Sequence, residues 1–141
     1  MTTVVKNTPL GINLPIQLGP NSGYFDQSFD SFTQMRMNII NLIRTMPGER
    51  RMQPTFGSRL WTVVFDQNDD VIPEKIKNII RDDIQAWVPG VAVKDVQVKY
   101  FKDDETTDAR DIYKLLIHIT YVITSVNQED VVEIIVNKGN I

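Results

Sequence analysis

The sequence predicts an α+β fold: an N-terminal extended arm, then three helices packed on a three-stranded antiparallel sheet. Three observations predict it. Apolar residues recur at helical spacing as far as Trp87 and at every second position from Val91 onward. Pro47-Gly48 and Pro89-Gly90 punctuate that pattern where helices should end. Neither an internal repeat nor an interdomain linker divides the chain, so residues 25–141 are expected to form one domain behind an arm of residues 1–24.

The arm holds Pro9, Pro15 and Pro20 with Gly11, Gly19 and Gly23, and Lys6 is its one charge. That composition rules out a helix or a central strand. Leu10, Ile12, Leu14, Ile16 and Leu18 alternate, as in an extended segment lying on a surface. A loose terminus and an arm docked on a neighbour both fit.

Residues 31–45 read as the first helix. Asp30 or Ser31 can cap it, and Phe32, Met35, Ile39, Ile40, Leu42 and Ile43 form its apolar face. A short helix over residues 58–65 follows a loop, with Leu60, Trp61, Val64 and Phe65 on its buried side. Asn68-Asp69-Asp70 reads as a turn. Pro73 suits the first turn of a third helix, where its missing N–H costs nothing. Its stripe is Ile72, Ile76, Ile79, Ile80, Ile84 and Trp87, with Lys75, Lys77, Arg81 and Asp82 outside.

Residues 91–101 then form a strand, and Lys94-Asp95 breaks its phase, which predicts a bulge. Residues 102–110 are a charged hairpin loop. Residues 112–125 form a long strand that is apolar on both sides, which predicts cover on both faces. The last strand is predicted over residues 131–136, after a turn at 127–129.

Composition excludes several functions. A net charge of −3, from 15 basic and 18 acidic side chains, does not suit a phosphate-neutralising face, so nucleic acid is not an expected partner. The absence of cysteine removes disulfides, thiol catalysis and cysteine metal sites. Residues 1–10 carry one lysine and no long apolar run, so neither a signal peptide nor a membrane anchor is expected. Manufacture and assembly in a cytoplasm fit best.

Catalytic patterns are weak. His118 stands in a strand without a second histidine, so a structural role is expected for it and no metal or cofactor is implied. Gly57-Ser58 is not a nucleophile elbow, and no phosphate loop is present. Glu49 is the best candidate for a glycosidase acid. Arg50 and Arg51 flank it, however, and cations lower a carboxyl pKa, the wrong direction for that role. Glu49 is expected to form a salt bridge or accept an N–H instead.

The informative segment is the loop after the first helix. It reads Pro47-Gly48-Glu49-Arg50, then Pro54, then Phe56-Gly57-Ser58-Arg59-Leu60, then Phe65. These residues at this spacing resemble the baseplate wedge family of contractile phage tails. That family includes lysozyme-like tail proteins, sheath initiators and a baseplate subunit of type VI secretion systems. The resemblance covers roughly residues 19–138. One departure is clear: where the family often carries Glu-Pro-Arg, this chain has Val88-Pro89-Gly90, and contact there would be apolar, through Trp87, Val88 and Pro89, or made elsewhere.

The resemblance implies a virion scaffold and no enzyme, linking the wedge to the tail sheath. Its implied partners are other baseplate wedge proteins, the tail sheath protein and tail tube or hub proteins, with no membrane. Arg50, Arg51 and Arg59 are expected, beside Glu49, to form the polar part of a docking surface. The last strand, with Val131, Glu133, Ile134, Ile135 and Val136, would template sheath growth if it is a sheet edge, and is an ordinary core strand if it is not. Two other classes stand beside this one: a peptidoglycan hydrolase and an unrelated soluble protein-binding module.

Overall fold

The computed structural model describes residues 8–19, 24–64, 72–101 and 114–137. The predicted turn at 68–70 and the charged loop at 102–110 lie outside them.

Residues of the arm and those just after it pair as a small ribbon, β1 (Gly11–Ile12) with antiparallel β2 (Gln27–Ser28). The Leu10 N–H donates to Ser28 O at 2.8 Å, and Asn13 N–H to Asp26 O at 3.0 Å. The described part of residues 1–24 pairs back on residues 26–28 as an antiparallel ribbon. It rests on the first helix: Ser28 Oγ bonds Gln34 Oε1, and a Cβ at Gly11 would collide with the Gln34 side chain.

Helix α1 (Ser31–Arg44) begins at Asp30, whose Oδ2 accepts the Thr33 N–H at 3.2 Å. Ile39, Leu42 and Ile43 are its buried side chains. Helix α2 (Leu60–Val64) begins two residues later than predicted, and Val63 joins Leu60 in the core while Trp61 and Val64 are half-buried. Phe65 lies outside the described residues. Helix α3 (Ile72–Trp87) has the predicted stripe with one addition, Asp83, which is buried beside Ile80 and Ile84.

Three strands follow in the order β3 (Val91–Phe101), β4 (Lys114–Ile123) and β5 (Gln128–Asn137), all antiparallel. The β3–β4 register shifts between Val93 and Asp95, where the sequence predicts the bulge. Strand β5 starts earlier than predicted, because residues 124–127 already make the turn and Asn127 takes a left-handed φ of 52°.

Prediction of cover on both faces of β4 needs correction. Leu115, Ile117, Ile119, Tyr121 and Ile123 are buried under the helices, while Leu116, His118, Thr120 and Val122 on the other face are half-buried. The described helices lie on one side, and among the described residues the second face of β4 has only cross-strand contacts. One such contact is an ion pair between Lys94 of β3 and Glu129 of β5, reaching across β4.

Candidate partner-binding site

Two regions carry the residues that the sequence singled out: the loop over residues 46–59 and strand β5. The loop is rigid for identifiable reasons. Gly48 N–H donates to Pro54 O at 2.8 Å and Ser58 N–H to Thr45 O at 2.9 Å, which close it at two levels. Gly57 has φ of 133°, and a Cβ there would lie 2.7 Å from Thr45 O, Met46 C and Pro47 N. Glu49 Oε2 accepts the Met46 N–H at 3.0 Å, so its carboxylate fixes the turn as an N–H acceptor.

The arginines have different surroundings. The Arg50 guanidinium lies 3.9 Å from the Phe56 ring centroid, and Phe56 meets Trp87 edge-on at 5.4 Å. Arg51 is exposed and has no ion pair among the described residues. Arg59 is tied inward: its Nε donates to Asp83 Oδ1 at 3.1 Å and its backbone N–H to Asp83 Oδ2 at 3.0 Å. Ser58 Oγ donates to the same Oδ2 at 2.9 Å and accepts the Leu60 N–H at 3.2 Å. One buried carboxylate therefore closes the loop on α3 and organises the start of α2.

Sequence reasoning missed Asp83. Its spacing from Ile76 and Ile80 puts it on the apolar stripe, and a carboxylate on that stripe was the available signal. The apolar contact expected at Trp87, Val88 and Pro89 also changes. Val88 is 3% exposed and belongs to the core, and its N–H donates to Ile84 O as the last turn of α3 closes. Pro89 is exposed, and Trp87 is half-buried against Phe56.

Strand β5 lies at an edge of the sheet, since β4 is its one partner among the described strands. The side chains of Val132, Ile134 and Val136 face the helices and are buried, whereas Val131, Glu133 and Ile135 face the open side. Ile134 and Val136 thus serve the core with their side chains. The direction of the backbone groups follows from the hairpin. Asn127 N–H donates to Ile123 O at 2.8 Å, and Thr124 N–H donates to Gly90 O at 2.9 Å. Ile123 therefore turns its polar groups toward β5 and Thr124 toward β3. With Ile123 opposite Gln128 and Ile117 opposite Ile134, alternation aims the N–H and C=O of Ile134 at β4. The same alternation aims those of Val131, Glu133 and Ile135 outward.

The outward edge has one internal partner. Arg36 Nη2 of α1 donates to Val131 O at 3.4 Å, and Arg36 Nε lies 3.9 Å from Asp130 Oδ2. Asp130 also accepts the Tyr121 hydroxyl at 2.7 Å. Burial first, and then the Asp130 carboxylate, hold that hydroxyl well above the usual phenol range, with Arg36 opposing. Residues 95 positions apart build this group, and no local pattern announces it.

A family model described as baseplate wedge protein gp25 matches residues 33–128, more than half of the chain. The chain belongs to the baseplate wedge protein gp25 family. The gp25 match begins within α1, spans the loop and α3, and ends as β5 begins. Among solved structures, a crystal structure of a candidate tail lysozyme from Geobacter sulfurreducens has a TM-score of 0.62 at 22% identity, covering 77% of this chain and 91% of that one. A chain of the cryo-EM structure of the anti-feeding prophage baseplate has a TM-score of 0.64 at 22% identity, covering 80% and 83%. At that identity these two establish a shared fold. Curated protein sequences give no match.

Proposed function

We propose that this gp25-family chain is a structural component of a contractile-tail baseplate wedge, built into the virion tail from host cytoplasm. It links the wedge to the tail sheath and templates the first sheath subunits through the edge of β5. The observation that carries this reading is the edge itself. Glu133 and Ile135 turn backbone groups outward on a strand that has β4 on one side and no described strand on the other. An added strand would satisfy those groups in a defined register. Membership of a family of baseplate wedge proteins supplies the setting.

Two further surfaces suit wedge neighbours. Leu10, Ile12, Ile16, Leu18, Tyr24, Phe25 and Phe29 expose apolar side chains on and beside the β1–β2 ribbon, a patch of the kind that marks protein contacts. Arg51, with the exposed end of Arg59, offers cations to a carboxylate-bearing partner.

The name of the Geobacter protein suggests hydrolysis, and Glu49 is where that reading would have to rest. Its carboxylate is exposed and accepts a backbone N–H of its own loop, an environment that shapes a turn. A muramidase assay on the wild type and Glu49→Gln separates the two readings. Scaffold function predicts no cell-wall hydrolysis by either; hydrolysis by the wild type that disappears in the variant would favour the enzyme.

A further inference from the structure

We propose that Arg36 is a register stop for the strand that β5 receives, confining it to the half of the edge around Glu133 and Ile135. This inference rests on the strand-edge reading above. A strand added at Val131 would need both outward groups of that residue. Val131 O already accepts Arg36 Nη2, and the guanidinium occupies the approach to it. Asp130, held from behind by the Tyr121 hydroxyl, keeps the guanidinium in place. Beyond Arg36, the backbone groups of Glu133 and Ile135 have no such cover among the described residues.

The stop also defines the chemistry of the incoming segment. It is an extended chain from a partner protein. Its residue opposite Glu133 lies on the open face next to a carboxylate, which favours lysine or arginine. Its residue opposite Ile135 lies beside a side chain that is 58% exposed, which favours an apolar group. Its intervening residues fall on the helix side, in line with buried Ile134 and Val136. Without the stop, a slip of two residues would keep every side chain on its proper face and put the basic residue opposite Val131 or Ile135. Pattern alone does not forbid that slip, whereas an occupied carbonyl opposes the one that extends pairing onto Val131.

A tethered probe tests this. A strand of about six residues is the length of an average strand, and it carries one lysine for the place opposite Glu133, with valine two positions away for the place opposite Ile135 and valine between them. It is fused after Ile141 through a Gly/Ser linker of about 15 residues, reaching roughly 20 Å. Amide exchange at Val131, Glu133 and Ile135 is read by NMR in the full chain and in Arg36→Ala, each against the same protein without the probe. In the wild type the probe should slow Glu133 and Ile135 about tenfold or more and leave Val131 unchanged. In Arg36→Ala it should slow Val131 as well. Equal slowing of all three in the wild type, or an unchanged Val131 in Arg36→Ala, would overturn the stop and leave the edge standing. If no outward amide slows in either protein, the edge reading fails and the stop fails with it.

Discussion

Asp83 accepts two hydrogen bonds from Arg59, one from the backbone N–H at 3.0 Å and one from Nε at 3.1 Å. Because Asp83 is buried on the apolar stripe of α3, this pair fixes the 46–59 loop to the helix layer. Replacing Asp83 with alanine would leave Ser58 Oγ and the Arg59 N–H without their acceptor. The expected loss is about 2–4 kcal/mol in denaturant unfolding. A loss below about 0.5 kcal/mol would mean that the loop is held by other contacts.

The same pair separates the loop arginines. Arg59→Glu would bring a carboxylate to Asp82 and Asp83, so lower stability is expected before any effect on assembly. Arg51→Glu should leave the melting temperature nearly unchanged and reduce incorporation into baseplates. Equal melting losses in the two variants would show that Arg51 has an internal role as well.

Much of this architecture was legible in the sequence, and the exceptions have physical causes. The helical stripes, the Pro-Gly stops and the bulge at Lys94-Asp95 are local patterns, and each corresponds to an observed feature. The family is also legible in the spacing of the loop residues. Asp83 escapes a reading that traces the stripe by apolar residues alone, although its position lies on that stripe. A contact is expected at Val88 because Val88-Pro89-Gly90 stands where the family often carries Glu-Pro-Arg, whereas Val88 is buried with the core. The Arg36–Asp130–Tyr121 group joins α1, β4 and β5, and only the tertiary fold brings them together.

Tyr121 predicts an alkaline limit. Its hydroxyl has a raised pKa in the folded state, with burial the larger cause and Asp130 the next. The neutral form is therefore favoured by folding. Its contribution is complete below the ordinary tyrosine pKa of about 10 and declines as pH rises above it. Tyr121→Phe should cost about 1–2 kcal/mol at neutral pH through the lost hydrogen bond. It should also flatten the decline in stability between about pH 10 and 11. An identical alkaline profile in the variant would assign the limit to another group.

Removal of residues 2–21 should leave a folded domain, since the buried apolar core begins at Ile39. Ser28 would lose its pairing with Gly11, so a small drop in melting temperature is expected, together with weaker incorporation into tails. An unfolded truncation product would make the ribbon part of the folding core.

The central claim, that the β5 edge templates the sheath, is tested most directly by electron micrographs of tails assembled with Ile135→Pro. The proline removes an outward N–H and places a ring on the pairing side, while the bonds from β5 to β4 remain. Ile134→Pro is the contrast, because its N–H faces β4 and its loss should destabilise the domain itself. The account predicts that Ile135→Pro protein folds, enters baseplates and leaves them without sheath. Full-length contractile sheaths on those baseplates would contradict it.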